Sequence, residues 1–370
     1  MKTYIFPGQG SQYVGMGKQL FAEFPAYVEQ ASDLLGYSIS ELCLADPNKQ
    51  LNHTQFTQPA LYVVSALAFL QQQKQQGSAD YLAGHSLGEY AALFAAGAIS
   101  FETGLKLVQK RGELMSKAAP GAMAAVLNVS ESDLHNALAE NNLNTIDIAN
   151  LNTPDQIVIS GLAEDINQSQ AFIEQLGGRF IKLNTSGAFH SRYMAPAQTE
   201  FAEFIQGFEF KTLQTPVIAN VTAQPYHHAD IAQHLIAQIT QPVQWTKSVE
   251  YLLSQGDMDF VELGPKKVLT KLVQTIEKQF VMPVQSSAVK TPSNNPAGVT
   301  PQQQVAHWNN TYPVGTEVLI KGQTTPYKTR TQATLQFGHR PTLYLHGFGG
   351  YFHLTDLRPA QQHARIPATA

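Results

Sequence analysis

The chain has 370 residues, 43% of them hydrophobic and 14% charged, which supplies a large core for two or three domains and excludes disorder along the whole length. A formal net charge of -4 without any basic block argues against nucleic acid as the main partner. The lone Cys43 excludes internal disulfides and thiolate metal clusters, and neither a signal h-region nor a run near the ~18 apolar residues of a membrane span is present, so a cytoplasmic location away from membranes is expected.

In chain order, KTYIF (2–6) predicts a short buried strand, stopped by Pro7 and the glycines of PGQGSQ (7–12). Segments 16–35 and 59–74 carry helical spacing, and SADYLAG (78–84) feeds a strand into GHS. Apolar residues then recur at helical intervals from Leu87 to Phe94, and a further helix is predicted over 101–118. Between 123 and 188 the pattern becomes strand, helix, two strands, helix, strand, with Ser130 as an N-cap. That βαββαβ order predicts a ferredoxin-like unit at 124–191, inserted into a larger α/β domain of residues 1–123 and 192–280. Residues 281–311, rich in Pro, Ser, Asn and Gln, read as a linker, and 312–370 as a small antiparallel, SH3-like β module in which GTEVLIKG, YKTRTQATLQF, PTLYLHG and GYFHL each read as a short strand.

GHSLG (84–88), placed between a strand and a helix, is the pattern of a nucleophile elbow, in which glycines let the chain reverse sharply around Ser86. The bland alternative is a glycine-bracketed serine in a plain turn. A serine nucleophile needs a base within hydrogen-bond reach. Of 12 histidines, His85 is expected to point away and pack beneath the elbow, whereas His190, on the loop after the inserted unit, could lean over it. No acidic residue marks itself as a third member; Asp147 and Asp155 lie inside the inserted unit. A Ser86–His190 dyad with the imidazole held by a backbone carbonyl is therefore expected. A lone helical arginine such as Arg111 is ordinarily solvent-facing, yet a guanidinium fork is also the planar bidentate match for a carboxylate leaving water.

Eight segments occur in one order: FPGQGSQ (6–12), GHSLGEYAAL (84–93), QKRGELM (109–115), GAMAAV (121–126), GAFHS (187–191), NVTAQP (220–225), QPVQWTKSVEYL (241–252) and ELGPKKVL (262–269). Together they resemble the malonyl-CoA:acyl carrier protein transacylase family over about residues 1–280. The resemblance implies an α/β-hydrolase-like large domain with the inserted subdomain, and a ping-pong malonyltransferase. In it Ser86 attacks the thioester, His190 moves the proton, and the amides of Gln9 and Leu87 form the oxyanion hole. It further implies that Arg111 binds the malonyl carboxylate and that the carbonyl of Gln244 orients His190. Asn152 and Gln156 are expected to line the cleft. Leu87 and the Ala188–Phe189–His190 run are similar to malonyl-type rather than methylmalonyl-type enzymes, with Phe189 filling the space of an α-methyl group. No metal and no dedicated cofactor is implied, because phosphopantetheine travels on the substrates. The implied partners are malonyl-CoA, an acyl carrier protein and, given the carboxy-terminal extension, a polyketide synthase served in trans. Two other readings stand beside this one: an acyl hydrolase that clears carrier proteins, and a docking protein acting through the last 60 residues or so.

Overall fold

The structure is a computed structural model that describes residues 1–119, 121–185, 187–280, 300–321, 325–336, 340–346 and 351–360. The described residues fall into two units, Met1–Gln285 and Ser286–Ala370, which are taken separately.

The first unit opens with β1 (Lys2–Phe6), then α1 (Lys18–Glu23), α2 (Pro25–Leu35), α3 (Ile39–Leu44), α4 (Thr54–Gln76), β2 (Tyr81–Gly84), α5 (Gly88–Ala95) and α6 (Phe101–Lys117). The single helix predicted over 16–35 is two, because Pro25 cannot donate into the preceding turn and starts a new helix instead. The chain continues through β3 (Ala122–Leu127), α7 (Glu131–Glu140), β4 (Asp147–Thr153), β5 (Gln156–Gly161), α8 (Ala163–Gln175) and β6 (Arg179–Lys182). It ends with α9 (Ala195–Ile205), β7 (Val217–Ile218), α10 (Ile231–Ala237), α11 (Trp245–Ser254), β8 (Asp259–Glu262) and α12 (Val268–Gln279).

A parallel sheet in the order β7-β2-β1-β8 forms the centre of the larger part. Strand alternation splits its side chains between two cores. Tyr4, Phe6 and Leu82 join the cluster that contains much of α4 and α6, while Ile5, Ala83 and Ile218 join the one with Trp245, Val249 and Val273 of α11 and α12. Helix α4 is buried on nearly every side from Thr57 to Leu67, as an apolar helix between layers must be.

The smaller part is an antiparallel sheet in the order β4-β5-β3-β6. One face of β3, Ala122, Ala124 and Val126, packs with residues of α7 and α8; the other, Met123 and Ala125, belongs to the large core. The two parts are stitched together where Leu151 N–H donates to Val243 and Val243 N–H donates back to Ala149, both at 2.9 Å.

The second unit contains α13 (Pro301–Thr311), β9 (Glu317–Ile320), β10 (Pro326–Lys328), β11 (Thr334–Gln336), β12 (Arg340–Tyr344), β13 (Tyr351–His353) and β14 (Leu357–Pro359). Its sheets are antiparallel, in the orders β10-β9-β14 and β11-β12-β13. The segment YKTRTQATLQF, expected as one strand, divides between them as β10 and β11. The linker expected at 281–311 is corrected at its end. Residues 301–311 are helical, opened by a capping box between Thr300 and Gln303 and tied down by buried Trp308 in the unit's core. The rest of the linker, 281–299, and the tail 361–370 lie outside the described residues.

Candidate active site

Ser86 follows β2 and precedes α5, with φ of +52°, a conformation that costs a non-glycine residue on the order of 1–3 kcal/mol. Two glycines make the turn possible. A Cβ on Gly88 would lie 2.0 Å from the Phe6 carbonyl oxygen, and one on Gly84 would lie 2.0 Å from the backbone of Gly88. The strain is held by Asn220, whose Oδ1 accepts the Ser86 N–H at 2.6 Å while its Nδ2 donates to the Gly84 carbonyl at 2.6 Å.

His190 is buried, also at positive φ (+55°), and its Nε2 lies 2.8 Å from Ser86 Oγ. Nδ1 faces only acceptors, the carbonyls of Gln238 at 2.8 Å and Gln241 at 3.2 Å, so the proton resides on Nδ1 and Nε2 offers its lone pair to the serine hydroxyl. This corrects the assignment of the orienting carbonyl to Gln244. Gln244 precedes α11, and its carbonyl is engaged by the Ser248 N–H (2.9 Å) and Oγ (2.9 Å). Burial, aided by the cationic Arg111, drives His190 down to about 3, so the imidazole is neutral. Asp147 is bound to Arg192, and Asp155 accepts from Thr153, so neither completes a triad.

Arg111, on α6, is 1% exposed. Its Nη1 donates to Gln58 Oε1 at 2.8 Å, and Nη2 donates to Gln238 Oε1 at 2.8 Å and to Ser86 Oγ at 3.1 Å. Its Nε–H has no hydrogen-bond partner among the described residues, nor does any described carboxylate pair with the guanidinium at salt-bridge distance. The ring of Tyr90 lies 5.7 Å away. Beneath the elbow, buried Glu89 accepts from Asn220 N–H and Tyr226 O–H, each at 2.8 Å, and from Gln238 Nε2. Burial raises Glu89 to about 7, against the pull of those donors and of Arg111.

A cleft of about 180 Å³ opens on these groups. Gln9, Leu87, Phe189, Met123 and Asn152 line it. Among the described residues, the amides of Gln9 and Leu87 have no internal acceptor. Gln156 is not among the lining residues. His85, expected beneath the elbow, instead lines the cleft, with Nε2 2.8 Å from Asn152 Oδ1 and its ring against Trp245. Among the described residues no three His, Cys, Asp or Glu side chains converge as a metal site.

Gln58, Glu89, Asn220 and Gln238 escaped sequence reasoning. Glu89 and Asn220 sit inside the quoted segments GHSLGEYAAL and NVTAQP, which could have flagged them. Gln58 and Gln238 sit in unremarkable helical sequence.

A serine on a strained strand–helix turn, a neutral histidine on its hydroxyl and a buried cation aimed at the same oxygen suit acyl transfer through a serine. Residues 3–308 match the family described as acyl transferase domain, and the chain belongs to it. It is 52% identical over 282 residues to the polyketide biosynthesis malonyl CoA-acyl carrier protein transacylase BaeC of Bacillus velezensis, an alignment covering 75% of this chain and 98% of that protein. Among solved structures, it is similar to the malonyl CoA-acyl carrier protein transacylase of Burkholderia pseudomallei, with TM-score 0.74 and 49% identity over 76% of this chain and 99% of that one. A malonyl-transacylase solved in complex with a type II polyketide synthase acyl-carrier protein matches with TM-score 0.72 and 35% identity, covering 75% of this chain and 93% of that one.

Proposed function

We propose that the chain is a malonyltransferase that carries malonyl from malonyl-CoA, through an ester on Ser86, to the phosphopantetheine thiol of an acyl carrier protein, in polyketide synthesis. The observation that carries the choice of acyl group is Arg111: a buried guanidinium without a carboxylate partner, bonded to Ser86 Oγ and holding an unused Nε–H. A malonyl group presents its carboxylate one methylene from the carbonyl that Ser86 attacks. Nucleophile and cation are therefore spaced for a short dicarboxylic acyl group, and an uncharged acyl group leaves the cation unpaired.

His190 Nε2 takes the Ser86 proton as Oγ attacks the thioester carbonyl. The amides of Gln9 and Leu87 donate to the oxyanion, a type of contact for which losing one donor costs about 3–4 kcal/mol. As the C–S bond breaks, the CoA sulfur leaves with the proton from His190. The carrier-protein thiol then gives its proton to His190 and attacks the ester, and the proton returns to Ser86 when the C–O bond breaks. Phe189 narrows the cleft against an α-methyl group, a preference worth about 1–3 kcal/mol. The chemistry needs no metal or resident cofactor.

The domain assignment belongs to the same reading. The large part is taken as α/β-hydrolase-like and the inserted part as ferredoxin-like, the latter supported by the βαββαβ chain order and the β4-β5-β3-β6 sheet. No described helix is long and apolar enough to cross a membrane, and a cytoplasmic enzyme is proposed.

Intact-mass measurement after mixing with malonyl-, methylmalonyl- and acetyl-CoA tests the function. Malonyl should add to the wild type, be released by pantetheine thiol, and fail to add to Ser86→Ala. Covalent labelling that persists in the variant would sink the assignment.

A further inference from the structure

One residue hydrogen-bonds to Ser86, His190 and Arg111 without lining the cleft. Gln238, at the carboxy-terminal cap of α10, is fully buried. Its main-chain carbonyl accepts the Nδ1–H of His190 at 2.8 Å. Its side-chain Nε2 donates to the Ser86 carbonyl at 3.0 Å and to Glu89, and its Oε1 accepts from Arg111 Nη2 at 2.8 Å. The direction of this amide is over-determined. Two acceptors face the NH₂ end and a permanent cation faces the oxygen, so a flipped amide would set oxygen against oxygen and donor against donor.

We propose that Gln238 is a positioning residue for acyl-group selectivity: its side chain, polarised by Glu89, pins the guanidinium of Arg111 in register with Ser86, while its backbone holds His190. The inference rests on the malonyl reading of the site. Without Gln238 the guanidinium keeps Gln58 at Nη1, and at Nη2 only the Ser86 oxygen, the atom that becomes acylated; so held it can pivot, and a pivoting fork loses the planar two-point match to a carboxylate. An acyl group without a carboxylate makes no use of that register. The charged or titratable groups facing the Gln238 side chain are Glu89 from α5, Arg111 from α6 and, through Glu89, Tyr226.

The test uses the full chain, with malonyl-CoA and acetyl-CoA as donors and free pantetheine as acceptor. Gln238→Met keeps length and flexibility, removes all three side-chain hydrogen bonds and leaves the carbonyl to His190. We expect malonyl kcat/KM to fall roughly 10- to 100-fold, the range for a charge-assisted bond, and acetyl transfer to fall less, so that the malonyl-to-acetyl ratio drops by at least about 5-fold. Gln238→Glu provides a readout that a merely structural role would not move. Ionised, the new carboxyl pairs with Arg111 and competes with malonyl. Protonated, it reproduces the amide, with O–H toward Glu89 and C=O toward Arg111. Malonyl transfer by this variant should therefore recover as pH falls toward about 4.5, because Glu89, near 7, takes the first proton and the Arg111 guanidinium holds the new carboxyl ionised until the pH drops further. If Gln238→Met fails to fold, the pH recovery of Gln238→Glu decides. A malonyl-to-acetyl ratio within about 2-fold of wild type in Gln238→Met, or no pH recovery in Gln238→Glu, would overturn the proposal. Wild-type protein that takes no malonyl onto Ser86 would instead overturn the functional reading itself, before any variant is compared.

Discussion

Arg111 shows most directly how burial turns an ordinary side chain into a recognition element. In water a guanidinium binds a carboxylate weakly, whereas in a closed site with neutral partners an incoming anion relieves the desolvation of the cation. Arg111→Ala is expected to lower malonyl kcat/KM by about 1.5–3 kcal/mol, roughly 10- to 150-fold, with acetyl transfer held or raised, in paired steady-state assays. The same cation acts on His190. With the imidazole driven down to about 3, the acid limb of kcat/KM that belongs to His190 in the wild type should lie below about pH 4. Arg111→Gln removes one cause of that depression, so its acid limb should move to higher pH. An acid limb at an ordinary histidine value in the wild type would contradict the neutral, buried base. At this level the sequence supplied Ser86, His190 and Arg111, because motif spacing carries such residues. It misassigned the orienting carbonyl to Gln244, because which backbone oxygen meets a ring depends on how the chain leaves α10.

The elbow is a property of three elements together. Phe6 at the end of β1, Gly84 at the end of β2 and Gly88 at the start of α5 approach so closely that side chains are excluded. Gly88→Ala should cost at least about 3 kcal/mol, since its Cβ meets backbone rather than a flexible side chain. A drop in urea midpoint, with activity lost in proportion to unfolded protein, is the expected result. The strand runs and the helices after the elbow were legible because period-two and period-3.6 spacing survive in short windows. Helix α13 was not, since its eleven residues form a weak apolar stripe whose main anchor, Trp308, gains burial only against the strands that follow. The division of YKTRTQATLQF between two sheets was likewise invisible to local pattern.

For the molecule as a whole, two buried groups of the site pull the acid response in opposite directions. His190 titrates at 6.5 when unfolded and at about 3 when folded, so the unfolded chain holds the extra proton in that window and stability falls as pH drops through it. Glu89 works oppositely: its value rises from 4.5 to about 7 on folding, so the folded state gains as pH falls through that window. The two slopes largely offset one another from about 4.5 to 6.5; below that the His190 contribution is left, joined by His85, which desolvation also lowers. His190→Asn should flatten the stability curve below about pH 4.5, measured by denaturant midpoints, by an amount on the order of a few kcal/mol. The division of the chain near residue 285 bears on the tail. Every group of the candidate site lies before it, so deleting 286–370 should leave malonyl transfer to pantetheine within about 3-fold of the full chain. A larger loss, in a variant that still melts cooperatively, would make the tail part of the enzyme.

Short-range order wrote the reacting residues into the sequence, since a nucleophile on a turn needs its glycines beside it and the segments around His190 and Arg111 carry their neighbours with them. The scaffold that makes them work came only with the tertiary structure. Gln238 lies 127 residues from Arg111 and 152 from Ser86, and Asn220 lies 134 from Ser86. A buried amide is an ordinary glutamine until packing closes around it, because its energy depends on which donors and acceptors the fold brings within three ångströms, and no local pattern encodes that.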